Sequence, residues 1–173
     1  MADHTKDSHC PHCGHHFPAD AGWPRRCAAC GGSTYRNPLP VAVALLPVRD
    51  ESGTGLTVIR RTIAPSNGEL ALPGGFMEIG ESWQQAVTRE LGEETGIPAD
   101  PDTVRLADVR TDLAGHLLVF GLLPALDAAA LPPSTPTDET QGWQLIHAPT
   151  PLGFPLHTEA VAAWFGGHYG PGA

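Results

Sequence analysis

Basic residues are few. Ten Lys and Arg stand against nineteen Asp and Glu, for a net charge of −9. That balance argues against non-specific nucleic-acid binding by the surface as a whole, which needs cations to displace counterions. It leaves room for a nucleotide whose phosphates arrive with a metal. Long apolar runs are missing too. The longest, Leu117 to Leu126, is interrupted by Gly121 and Pro124 and is too short to span a membrane. Met1-Ala2-Asp3-His4 is polar and no apolar stretch follows, so a secretory signal is not expected and a cytoplasmic protein with no membrane partner is the default. There is no cysteine beyond Cys30, and no internal repeat is found.

What is present suits a globular chain. The 41% hydrophobic content is ordinary, and 173 residues make one domain, or one domain plus a small module. The four cysteines form two Cys-x2-Cys pairs, Cys10/Cys13 and Cys27/Cys30, thirteen residues apart. That spacing favours a tetrahedral structural zinc site over two disulfides or a redox pair, since disulfides are disfavoured in the cytosol. Gly14 and Gly31-Gly32 follow the knuckles, where tight turns point amides at thiolates. His4, His9, His12, His15 and His16 crowd the same region, but four thiolates already close the shell. Too few apolar residues lie before Tyr35 for a core, so metal would supply much of the folding energy. Trp23 is expected to pack over the knuckles.

The stretch Gly75 to Ile97 carries the chemistry. Ser82 and Gln85 have the spacing of a capping box, Gly96 suits a left-handed helix end, Ile97 can fold back on Leu91, and Pro98 stops continuation. A helix from about Trp83 to Thr95 follows, with Trp83, Val87 and Leu91 as its apolar stripe. Glu90, Glu93 and Glu94 stand at i, i+3 and i+4 on one face. Like charges at this spacing repel, and they crowd the end of the helix whose dipole prefers cations. A solvated acidic face is one reading. The other is a divalent-cation site, because hard oxygen ligands suit Mg2+ or Mn2+.

These residues resemble the box of the Nudix hydrolase superfamily, Gly-x5-Glu-x7-Arg-Glu-U-x-Glu-Glu-x-Gly-U, with U a bulky aliphatic. Gly75, Glu81, Arg89, Glu90, Leu91, Glu93, Glu94, Gly96 and Ile97 fill it without a departure. The resemblance implies an α/β fold: a Nudix α/β/α sandwich with a mixed β-sheet over residues 36–173, preceded by a small zinc ribbon over 1–35. It implies metal-dependent hydrolysis of the pyrophosphate in a nucleoside diphosphate derivative, ADP-ribose-like or another NDP-X. Glu90, Glu93 and Glu94, with the Gly74 carbonyl, would hold Mg2+ or Mn2+. Arg89 would keep carboxylates in register, with Glu81 its partner, while Gly75, Glu78 and Gly96 support the box. A ribbon ahead of a Nudix box is similar to the NADH pyrophosphatase group, whose members carry a further domain before the ribbon that is not expected here. The Ser-Gln-Pro-Trp-Pro-Phe-Pro-x-Ser motif of that group is not found either, so NAD(H) is the alternative substrate. A third reading is a ribbon binding module on a nucleotide-sensing scaffold. Nucleic acid is expected only as a capped or terminal substrate, and a homodimer is left open.

The flanking pattern is strand-rich. Val41–Val48, with Pro47 near its end, and Leu56–Arg61 read as a hairpin, followed by Leu70-Ala71-Leu72 and a Pro73-Gly74-Gly75 turn. Arg60 or Arg61 is either surface charge or a phosphate contact. Val104–Leu113 and His116–Leu123 read as two strands joined at Ala114-Gly115, Trp143–His147 as a last strand, and Thr158–Phe165 as a helix capped by Thr158. Between them, Asp127–Gln141 is a long connection able to swing over a bound pyrophosphate. Carboxylates that hold metal lose basicity, so a general base is sought there: Glu139 first and Asp138 second, as base or extra ligand, or as plain surface charges.

Overall fold

A computed structural model describes residues 6–170. His4 and the rest of the polar start lie outside them. The chain divides into two compact units, one ending at Pro38 and one beginning at Leu39.

The first unit is two knuckles and a ribbon of two short antiparallel strands, β1 (Arg25–Arg26) and β2 (Ser33–Thr34). Its small core holds Cys10, Phe17 and Cys27, with Ala21 packed against it. Trp23 lies on the Arg25 guanidinium, 4.5 Å from ring centroid to carbon.

The second unit is built on two mixed sheets where one was expected. The first sheet joins β3 (Leu39–Leu45), β7 (Gly74–Phe76), β8 (Arg105–Thr111) and β9 (His116–Leu122) in the order β7-β3-β9-β8, with β3 and β9 parallel. The second joins β4 (Pro47–Asp50), β5 (Gly53–Arg61), β10 (Leu126–Asp127) and β11 (Thr140–Ile146) in the order β10-β4-β5-β11, and β6 (Leu70–Ala71) pairs with β5. Short 3-10 turns occupy Pro101–Thr103 and Ala128–Ala130.

The expected single strand Val41–Val48 is therefore two, divided at Leu46. Proline at the head of β4 has no N–H to give a ladder, and the chain uses that break to change sheets. The expected turn at Pro73-Gly75 is likewise a strand from Gly74 onward, because Gly74, Gly75 and Phe76 pair with Val43, Ala42 and Val41. The last strand begins three residues earlier than read, with a bulge between Thr140 and Trp143.

Helix α1 (Trp83–Thr95) has the expected ends: a Ser82/Gln85 capping box and Gly96 at φ 73°. Helix α2 (Pro155–Phe165) starts earlier than expected. Proline sits in its first turn, where a missing N–H is harmless, and Phe154 rather than Thr158 precedes it. Thr158 Oγ1 instead accepts the Leu152 amide at 2.9 Å.

Alternation along β3 sets the layers. Ala42 and Ala44 face α1 with Val87, Leu91 and Ile97, while Val43 and Leu45 face the α2 side with Val58, Phe120, Val161 and Trp164. The result is an α/β/α sandwich. Among the described residues no helix is long and apolar enough to cross a membrane.

His157 of α2 is sealed in that core. Its Nδ1 accepts the Leu72 amide at 3.2 Å, and Phe154 and Phe120 flank the ring. Burial, with the nearby Arg61 charge, pushes its pKa down from 6.5 to about 3. The unfolded chain therefore binds a proton that the native state refuses, and stability falls as pH drops from 6.5 toward about 3. Denaturant titrations of the parent and His157→Gln should show the variant losing less stability over that interval, by up to about 1.4 kcal/mol per pH unit. Parallel pH profiles would contradict this.

Candidate functional site

The three α1 glutamates reach one cavity, lined also by Gly74, Gly75, Phe76, Arg89 and the Thr137–Glu139 loop. Two sequence devices bring them there. The capping box fixes the helix start, and the missing side chains of β7 let the sheet come close. A Cβ on Gly75 would lie 2.5 Å from Glu90 Oε1, so a side chain there would displace that carboxylate.

Arg89 braces the cluster. Its Nη2 and Nε donate to the two oxygens of Glu81 at 2.8 and 3.1 Å, and Nη1 to Glu90 at 2.8 Å and Glu93 at 3.1 Å. Nη2 also donates to the Phe76 carbonyl at 3.1 Å. This contact with Arg89 holds the Glu81 carboxyl below its usual range, and Glu81 in turn raises the Arg89 pKa most. Glu81 Oε1 also accepts the Glu78 amide at 2.7 Å, which ties down the loop before the helix.

Glu94 is different. It is 5% exposed, and its Oε2 accepts the Gly74 amide at 2.8 Å. Desolvation pushes its pKa up to about 8 against that one hydrogen bond, with the charges of Glu90 and Glu139 adding to the rise. Desolvation also raises Glu90, against Arg89. Hard oxygen donors of one sign, with Glu94 buried, Glu90 partly buried and Glu93 exposed, fit a divalent cation. Gly74 is seen here through its amide.

Glu139 and Asp138 line the same cavity, which sequence spacing alone did not establish. The loop end that carries them is pinned rather than free to swing. Thr62 N donates to the Glu139 carbonyl at 2.8 Å, and Thr137 Oγ1 accepts the amides of Glu139 and Thr140 at 3.2 and 3.1 Å. Thr140, fully buried, donates from Oγ1 to the Glu94 carbonyl at 3.2 Å and ties the loop to α1. The sequence reading missed this residue; the Thr137-x-x-Thr140 spacing was its signal. Of the two arginines on β5, Arg60 bonds the Gly68 carbonyl at 2.7 Å. Arg61 is 9% exposed, donates to the Pro65 carbonyl at 2.9 Å and lies over Phe154, so it is not surface charge.

A family model described as the NUDIX domain matches residues 38–164. The chain belongs to the Nudix family. Among curated relatives, the NAD-capped RNA hydrolase NudC of Escherichia coli O1:K1 / APEC is 32% identical over 90 residues. That match covers 51% of this chain and 33% of the relative's own length. A solved NUDIX hydrolase from Nitrosomonas europaea superposes with a TM-score of 0.67 at 23% identity, over 95% of this Nudix chain and 94% of the other. A bifunctional NMN adenylyltransferase/ADP ribose pyrophosphatase from Francisella tularensis, solved with AMP and a manganese ion, has a TM-score of 0.53 at 26% identity. It covers 65% of this chain and 34% of its own.

In the other unit, the ligand atoms of Cys10, Cys13, Cys27 and Cys30 lie within 4.8 Å of one another and form no disulfide. The sulfurs of Cys10 and Cys30 are 3.7 Å apart, those of Cys13 and Cys27 3.6 Å. A zinc tetrahedron with Zn–S near 2.3 Å has edges of about 3.8 Å, so the set fits zinc. Both knuckles make the same backbone bonds. Gly14 and Gly31, at φ 73° and 72°, donate to Cys10 and Cys27, whose own amides donate to His15 and Gly32. The amides of Cys30 and then Ala29 draw the Cys27 thiol below its ordinary value, whereas, against the His15 amide, the neighbouring thiols push Cys13 up to about 12, so the fit to zinc rests on the sulfur geometry.

Elemental analysis of purified protein should give one zinc per chain. Cys27→Ser should lose it and render the segment before Tyr35 protease-sensitive, with the melting transition of the Nudix unit retained. Zinc-free protein that resists protease there would contradict the assignment.

Proposed function

We propose that this chain is a divalent-metal-dependent pyrophosphohydrolase acting on a nucleoside diphosphate derivative, ADP-ribose-like in its chemistry. The Nudix unit (36–173) would be catalytic and the ribbon (1–35) structural. The observation that carries the reading is the meeting of Glu90, Glu93, Glu94 and Glu139 in one cavity braced by Arg89. The ADP ribose pyrophosphatase of Francisella tularensis supports the substrate class. The likeness to NAD-capped RNA hydrolases supports a second reading, an NAD-type pyrophosphate that is free or carried on an RNA end.

The chain's residues divide the work. Glu90, Glu93 and Glu94, with the Gly74 carbonyl, would hold Mg2+ or Mn2+, which when bound supplies charge neutralisation and Lewis-acid activation of the phosphates. The Gly74 amide orients Glu94 and the Arg89 brace orients Glu90 and Glu93. Glu139, held by its backbone in the loop that lines the same cavity, takes the proton of the attacking water on a carboxylate oxygen. Water enters in line with the departing phosphate, and the P–O bond of the anhydride breaks as the new one forms.

Two variants test this with a panel of Mg2+-dependent phosphate-release assays. Glu94→Gln should lower kcat by about 10²-fold or more, as loss of a major electrostatic contribution does. Its metal-free melting temperature should equal or exceed the parent's, because a buried carboxylate gives way to a neutral isostere. Parent-like turnover in saturating Mg2+ would sink the metal assignment. Glu139→Gln should reduce kcat much more than it raises KM. An unchanged kcat across the pH range would return Glu139 to the solvated surface.

A further inference from the structure

We infer that Thr140 is a positioning residue: its hydroxyl sets the loop of Thr137 to Glu139 against α1, so that the carboxyl groups of Glu139 and Glu94 keep one spacing within the cavity. The inference rests on the pyrophosphohydrolase reading above, with Glu139 as base.

The bulge in β11 aims this side chain. Thr140 pairs with Arg61 and Trp143 with Ile59, so three steps along β11 match two along β5. In a regular strand, side chains three residues apart face opposite sides. The extra residue turns Thr140 toward α1, the side on which Trp143 packs. Gly142 lies inside the bulge at φ 98°, and a Cβ there would collide with Ser134 Oγ. The connection therefore folds back on the bulge at a glycine.

The end of α1 receives the hydroxyl. Carbonyls in the last turn of a helix have no partner within it. Thr140 Oγ1 donates to one of them, the Glu94 carbonyl, at 3.2 Å. Glu94 is thus held twice, by its side chain on the Gly74 amide and by its backbone on Thr140. A hydroxyl has one proton to give. Thr140 gives it to Glu94, so Thr137 is the donor in the 3.3 Å contact between the two threonine hydroxyls. Thr137 Oγ1 in turn accepts the amides of Glu139 and Thr140, and the Gly142 amide donates to Thr140 Oγ1 at 3.2 Å. An unbroken line of hydrogen bonds runs from the Glu94 backbone through two hydroxyls to the Glu139 amide. Thr140 is fully buried, out of reach of a water that could replace a lost bond.

The ties from Thr62 to the carbonyls of Glu139 and Asp138 fix the loop to β5. The threonine pair fixes it to the helix that carries the other carboxylates. Base and helix carboxylates stand on separate elements, and a misplacement of about 1 Å between reacting groups can cost 10²-fold in rate.

The test uses the full chain. Thr140→Val keeps the shape and loses the hydroxyl. It should lower kcat by about tenfold or more and change KM less than about twofold, and Thr140→Ser should restore kcat. In a Glu139→Gln background, Thr140→Val should change kcat by less than about twofold, because nothing is left to position. Without metal, amide hydrogen exchange over residues 134–142 should quicken in Thr140→Val and stay parent-like in Thr140→Ser. Should Thr140→Val fail to fold, Thr137→Val cuts the same line at a half-buried site and gives the same comparisons. Parent-like exchange and kcat in the folded variant would overturn the inference. So would an equal loss of kcat with and without Glu139, which would make the hydroxyl structural alone. Parent-like kcat in Glu139→Gln would overturn the base assignment instead, and the exchange comparison would still decide whether Thr140 sets the loop.

Discussion

One guanidinium group holds the functional end of the Nudix unit together. Arg89 spends its donors on Glu81, Glu90, Glu93 and the Phe76 carbonyl, which links the loop, the helix and the edge strand in a single contact set. Without it, the carboxylates of α1 would repel one another at the end of a helix whose dipole also disfavours them. Its geometry matters as much as its charge. A bidentate grip on Glu81 and a fork toward Glu90 and Glu93 need a planar, five-donor group, which lysine does not offer. Glu94 is the carboxylate the brace does not reach, and it is the one whose charge burial disfavours most.

The brace works only because the backbone layers approach closely. Where α1 crosses the sheet, the facing positions are small: Ala42 and Ala44 on β3, Gly75 on β7, Gly121 on β9. A Cβ at Gly121 would lie 2.7 and 2.8 Å from methyl groups of Val104 and Val87. Packing and site geometry are thus set by the same choice of residues. The small side chains that let Val87 and Leu91 seal the core also bring Glu90 against Gly75.

Local codes were legible in the chain and distant ones were not. The limits of α1 could be read because each is written within a few residues: Ser82 with Gln85, then Gly96 with Pro98. The two knuckles were legible for the same reason. Strand β7 was misread because glycine and proline carry a turn signal locally, while its partners Val41–Val43 lie some thirty residues away. The start of α2 was misread because Thr158 looks like a cap, and nothing nearby in sequence shows that its hydroxyl is engaged by Leu152. Glu139 could be nominated from loop length and charge. That the loop is stapled to β5 and α1 by Thr62, Thr137 and Thr140 depends on contacts that spacing does not reveal.

The break at Leu46 has a consequence for how this sequence can change over time. Residues 39–50 form one run of chain threaded through both sheets: β3 is fixed on two sides by β7 and β9, and β4 is fixed by β5 and β10. A single inserted or deleted residue on either side of Leu46 would turn every following side chain to the wrong face of its sheet. Length change is therefore accommodated more readily in connections such as the one between the Ala128–Ala130 turn and Thr137, or at bulges such as that between Thr140 and Trp143, than in the threaded run.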